Sequence, residues 1–248
     1  MNTQQNYKNV ITMAQTEKKA KIFRRDYSVS KELEEEMVSC VFREFMIFAL
    51  ENYYNEENLV MLKEFTEEHQ LKSKKREDLL QNLFWWQIMH KYPLHSKSCI
   101  DEFLTEKIIS YRNKPFMRSW LKECDKVVSK FYYIGERYDN KFYVAIDILE
   151  EKPILVLVYD PTSKPLKQGE IVAGTLIPLG GSIYFPIIDF YHFDYEAREA
   201  MGSCLHHHYE KYLKIFTTHE AFIHVLSVML QIERKIFLEN QLKNHSTF

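Results

Sequence analysis

The chain has 248 residues and a formal net charge of −2, with 46% apolar and 15% aromatic residues. A chain of this length buries roughly 70–75% of its unfolded surface, so it needs neither disulfides nor metal in order to fold as one or two domains. The four cysteines (Cys40, Cys99, Cys124, Cys204) are scattered without C-x-x-C spacing, and apolar runs such as Ile154 to Tyr159 fall far short of a membrane span. The opening MNTQQNYKNV has no apolar signal-peptide core. These features lead us to expect a reducing, cytoplasmic setting without a membrane.

Glycine and proline divide the chain. All six glycines lie at or after Gly135, four of them between Gly169 and Gly181, and five of the seven prolines fall between Pro153 and Pro186. Since both residues punctuate turns and break helices, the expected fold class is α+β: a helical N-terminal domain, a small five-stranded antiparallel β barrel or bent sheet, then C-terminal helices. The divisions fall at 1–29 (a mobile basic arm), 30–129, 130–193 and 194–248. Residues 1–25 carry six cations, Lys8, Lys18, Lys19, Lys21, Arg24 and Arg25, against Glu17, and the next segment to Gln70 carries twelve acids. Such an arm either binds nucleic acid or folds back on its acidic neighbour.

The first helix is expected from Ser30, a good N-cap, to about Asn52. Leu33, Met37, Val41, Phe45 and Phe48 form one apolar stripe, and Val38, Phe42, Met46 and Leu50 a second beside it, so the helix should pack on two sides. Further helices are expected over Glu56–His69, Lys75–Lys91, from Ser98 through a capping box, and from Pro115 to about Ser129. Trp85 and Trp86 point about 100° apart on their helix, one toward the core and one over a neighbouring element.

The period changes at Lys130. Phe142, Val144, Ile146 and Ile148 alternate as in a half-buried strand, and Tyr138-Asp139-Asn140-Lys141 reads as a hairpin turn. Further strands are expected over Ile154–Tyr159, Glu170–Pro178 and Ile183–Phe190, with Gly174 marking a bulge or a close backbone approach. Pro178 and Pro186 belong at strand ends, bulges or edges, where no ladder donor is lost. The run from Trp120 through Phe190, with FYYI, VAIDIL and LKQGEIVAGTLIPLGGSIYF, resembles the helical-plus-barrel part of bacterial proteins that often end in a SEC-C metal knuckle. That resemblance covers about the middle half of the chain and implies the architecture alone. The knuckle's Cys-x-Cys and Cys-His ligands are absent here, and the tail reads as helix.

In the tail, Asp194 is expected to cap a helix to about Ile215, and Thr217-Thr218-His219-Glu220 matches a capping box for a final helix. Three consecutive histidines, His206 to His208, splay around a helix, and His219 and His224 are five apart, so neither set converges well on a metal. A metal-dependent hydrolase would have to draw on Asp189, His192 and His207, brought together by the fold. The carboxylates Asp147, Asp160 and Asp189 lie on or beside strands. No G-x-S-x-G elbow, P-loop or G-x-G-x-x-G is present, so no nucleotide cofactor is expected. Residues 130–193 hold six cations against eight acids, the wrong balance for a nucleic-acid groove. The leading expectation is a binding or adaptor protein that contacts protein partners or itself. A metal-dependent hydrolase is the alternative, with nucleic-acid binding through the basic arm as a second one.

Overall fold

The computed structural model describes residues 14–16, 20–90, 97–159 and 162–245. Lys8, Lys18 and Lys19 of the basic arm, Lys91 and Asp160 lie outside them. The described residues of the arm fold back on their neighbours. The Gln15 amide ties Arg24 and Tyr27 carbonyls at 2.9 and 2.7 Å, and the Arg25 guanidinium meets Glu123 at 2.9 Å.

Ser30 opens the first helix by accepting the Leu33 N–H at 3.4 Å, which satisfies one of the donors a helix start leaves open. Three consecutive stretches, Lys31–Glu35, a π-type Glu36–Phe42 and Arg43–Tyr53, make up this helix, α1. Its two stripes differ. Leu33, Met37, Val41, Phe45 and Phe48 are buried, whereas in the second stripe Phe42 is buried, Val38 and Met46 are half-buried and Leu50 is exposed.

Helices α2 (Glu56–Glu68) and α3 (Ser73–Met89) follow. On α3 the adjacent tryptophans part company: Trp85 enters a core with α1, and Trp86 enters another with the C-terminal helices. Ser98 caps α4 (Cys99–Glu106) by accepting the Asp101 N–H at 3.1 Å. Helix α5 (Ile108–Tyr111) leads to α6 (Pro115–Cys124), with Pro115 in its first turn. Helix α6 ends earlier than expected, since Ser129 already pairs with Thr175 in the sheet.

The strands are β1 (Ser129–Arg137), β2 (Phe142–Asp147), β3 (Lys152–Leu157), β4 (Ile171–Gly180), β5 (Ile183–Pro186) and β6 (Tyr191–His192). They join in the order β1-β2-β3-β5-β4, and β1 also pairs with β4, so five strands close into a barrel. Strand β6 continues β5 along the same side of β4. The expectation of uniformly antiparallel pairing needs correction at one seam, because β3 and β5 run parallel. A closed ring with an odd number of strands cannot alternate direction all the way round, so one neighbouring pair must be parallel. The resulting five-stranded barrel, with β1 shared between β2 and β4, is of the OB type.

The hairpin between β1 and β2 turns on Asp139, whose carboxylate accepts the Lys141 and Phe142 N–H groups at 2.7 and 2.8 Å. Tyr132, Ile134, Tyr143, Ala145, Val156, Val172, Leu176 and Phe190 fill the barrel. Phe190 enters from the excursion between β5 and β6 and lies on Gly174, where any Cβ would sit 2.5 Å from the ring. Gly180 has φ +94°, and a Cβ there would meet the Tyr27 carbonyl at 2.5 Å. Pro178 sits in β4 beyond the end of β1, and its carbonyl accepts the Trp120 indole N–H at 2.7 Å.

After β6 a short 3-10 turn, Tyr195–Ala197, leads into α7 (Arg198–Leu213). Asp194 does not cap it through its side chain, contrary to expectation. Its carboxylate turns instead to Lys75, at 2.7 Å. The capping box at Thr217 forms: its N–H donates to the Glu220 carboxylate at 2.9 Å, and its hydroxyl accepts the Glu220 N–H at 3.3 Å. The helix that follows, α8 (Thr218–His245), packs Phe222 edge-on against Trp86 of α3, with centroids 4.9 Å apart. No helix among the described residues is long and apolar enough to cross a membrane.

The Phe190–Gly174 contact yields a test. Gly174→Ala overpacks the barrel and lowers stability by about 1–3 kcal/mol in urea unfolding. Phe190→Leu in the same chain relieves the clash, so the double variant loses less than the sum of the two single changes. Strict additivity would contradict the contact.

Candidate functional site

The parallel seam is short. Among the described residues Leu155–Ile183 and Val156–Tyr184 pair across it. Beyond them β3 keeps its β2 partner and β5 keeps its β4 partner, but the two strands part. Pro186 accounts for the break on the β5 side, since proline has no N–H to donate into a ladder. A cleft of about 720 Å³ opens there, walled by Val158 and Tyr159 on one side and by Phe185 to Phe190 on the other. Helix α1 covers it with Val38, Phe42 and Met46, the second apolar stripe, and α3 closes the third side with Lys74, Asp78 and Gln81. Phe42 belongs to the π-type stretch, a geometry frequent at functional sites.

The floor is apolar and the rim polar, the usual make-up of a binding site. Phe42 and Phe185 meet edge to face at 5.2 Å, and Tyr159 stands edge-on to Phe185 at 5.9 Å. The Tyr159 hydroxyl donates to Glu34, which with burial raises its pKa. Asp189 lies on the rim and its carboxylate accepts the Lys164 N–H at 3.3 Å.

Lys74, Asp78 and Lys164 also line a second space of about 370 Å³, with Lys72, Arg234 and Phe237. The Lys72 ammonium sits over the Phe237 ring at 4.3 Å. Lys75 bridges Glu233 at 2.5 Å and Asp194 at 2.7 Å. Burial raises the Glu233 carboxyl pKa, and Lys75 pulls it back. Burial, and then the nearby Lys75, lower the pKa of Lys164.

The three residues considered for a metal go separate ways. Asp189 is on the cleft rim. His192 is buried, with Nδ1 3.0 Å from a Glu170 carboxylate oxygen, and the other Glu170 oxygen accepts the Lys167 N–H at 2.6 Å. His207 is exposed on α7, against the His208 ring. Among the described residues no group of three or more His, Cys, Asp or Glu is placed to hold a metal. Asp147 binds Lys130 at 2.6 Å at a mouth of the barrel.

Two histidine contacts join residues distant in sequence. His69 Nδ1 lies 2.8 Å from the Phe65 carbonyl and so carries the proton, leaving Nε2 to accept the Ser227 hydroxyl at 2.9 Å. The bond ties the end of α2 to the middle of α8. His90 and His219 stack with centroids 4.0 Å apart and planes at 8°, beside the buried Trp86 indole N–H, which has no partner. The lysine cluster did leave a trace in the sequence: Lys72, Lys74, Lys75 and Arg76 open α3, where the helix dipole favours anions.

No family model, curated protein or solved structure matches the chain.

The stacked histidines set a pH dependence. Burial, with His90 second, pushes the His219 imidazole down to about 4 from the ordinary 6.5. The folded state therefore holds it neutral while the unfolded chain takes up a proton below pH 6.5. The stability this site contributes is present above pH 6.5 and lost as pH falls toward 4. Urea midpoints measured from pH 7 to 4.5 should fall less steeply for His219→Gln than for the parent chain. Identical slopes would contradict the buried neutral imidazole.

Proposed function

We propose that this protein is a binding module that takes an extended segment of a partner protein into the cleft at the barrel seam. The observation that carries the reading is the cleft itself, in which two strand edges diverge over an apolar floor. Strand edges of this kind accept an added strand through main-chain hydrogen bonds, with side-chain pockets supplying selectivity. The apolar stripe of Val38, Phe42 and Met46 supplies such a surface.

The outer face of β1–β3 supports the same class of partner. Its half-buried Val144, Ile146 and Leu155 are apolar, and residues 130–193 as a whole hold six cations against eight acids, whereas nucleic acid wants a basic groove. Arg25, the last cation of the basic arm, is already engaged by Glu123. The four thiols are free, and two of them, Cys99 and Cys124, are buried, which fits a cytoplasmic setting. Kinship with the bacterial SEC-C proteins is likewise a proposal, and it brings no activity with it.

Photo-crosslinking tests the site. Benzoylphenylalanine in place of Ile188, on the cleft wall, should capture a reproducible polypeptide from lysate. The same group in place of Ile109, 88% exposed on α5, should not. Equal capture from both positions, or capture from neither, would contradict the proposal.

A further inference from the structure

We infer that the segment bound in the seam cleft is acidic at the end that reaches the start of α3, where its carboxylates meet Lys72, Lys74 and Lys164 while its apolar side chains lie on Phe42, Met46 and Ile188. This inference rests on the cleft reading above and adds the chemistry of the ligand.

The first argument is charge. The two joined spaces are lined by Arg43, Lys72, Lys74, Lys75, Lys164 and Arg234. Glu233 and Asp194 are taken up by Lys75. With Asp78 and Asp189 that makes six cations against four acids, a local excess of two positive charges on a chain whose sum is −2. An excess held against the net charge of the molecule attracts anions selectively.

The second argument is the start of α3. Lys72 occupies the N-cap position and offers no acceptor, and the first turn holds no acid. The opening N–H groups therefore receive no side-chain cap, and the two carboxylates that reach this turn, Asp194 and Glu233, are held by Lys75. Lys164 adds to this. Burial and then Lys75 lower its pKa although Glu170, Asp78 and Asp194 act the other way, so an arriving carboxylate favours the charged form further.

The third argument separates a peptide from a polynucleotide, which is also anionic. Single strands bind by stacking bases on open aromatic faces. The phenyl rings of this floor are buried, with Phe42 2%, Phe185 4% and Phe190 5% exposed, and of the aromatic rings lining the cleft Tyr159 alone is open, at 38%, so the lining offers packing for aliphatic side chains and a single stacking face. Spacing follows as well. Gln81, Asp78 and Lys74 line one side of α3, and seven helical residues rise about 10 Å, roughly three residues of extended peptide. The acids should therefore lie about three places from the apolar anchor.

The test uses the full chain and three fluorescent probes of about ten units each, in about 0.1 M salt. One peptide joins an alternating Val/Leu anchor to four Glu, a second replaces Glu with Lys, and the third probe is oligo-dT. The Glu peptide should bind at least about tenfold tighter than the Lys peptide. Lys74→Glu with Lys164→Glu should abolish that preference. Both positions are exposed, and circular dichroism verifies that the fold is kept. Ile188→Asn should weaken both peptides and leave their ratio unchanged. Equal binding of the two peptides, still sensitive to Ile188→Asn, would overturn the acidic preference and leave the cleft reading standing. Absence of binding by either peptide below about 1 mM would overturn both. Oligo-dT binding more tightly than the Glu peptide would overturn the choice of a protein ligand.

Discussion

Strand β4 must be buried on every side, and the rest of the molecule is arranged to achieve this. All ten of its residues, Ile171 to Gly180, are buried. Val172 and Leu176 turn into the barrel, Ile171 and Ala173 meet the C-terminal helices, and Ile177 and Leu179 meet α1 and α6. A strand this apolar leaves no face for water, so barrel closure alone cannot satisfy it. Both helical layers are needed. Trp120 completes the cover by donating to the Pro178 carbonyl where β1 no longer runs alongside.

The cleft follows from the same geometry. Five strands in a ring require a parallel pair, that pair falls at β3 and β5, and Pro186 stops it after two residue pairs. The wall opens beside the end of β4 that the N-terminal helices cover, so α1 and α3 lie across the gap. Helix α3 stands between the two helical layers. Trp85 and Trp86 fix it from opposite sides, and its first turn carries the lysines to the rim. Fold and candidate site are therefore linked through one helix and one strand seam, though a barrel of this type does not by itself dictate a ligand.

Much of the architecture was legible in the sequence, because it rests on local chemistry. Ser30, Ser98 and Thr217 cap helices as their short-range patterns require, Asp139 makes the hairpin turn, and the Gly/Pro skew marks the barrel. What escaped depends on partners distant in the chain. Alternation reveals a strand but not its direction, so the parallel seam was hidden. Asp194 has the right position for a cap, yet Lys75 claims its carboxylate. His192 is claimed by Glu170, the residue just before β4. The lysines of α3 and Lys164 are joined only by the fold.

Native-state hydrogen exchange along β4 tests this account most directly, because it reports whether the strand opens as one unit. If the barrel and both helical layers depend on its burial, the amides of Ile171–Thr175 and of Ile177–Gly180 (Pro178 having none) should exchange with one free energy, equal to that of global unfolding. A lower free energy for the second group, opening together with α1 and α6 while the first stays protected, would contradict it.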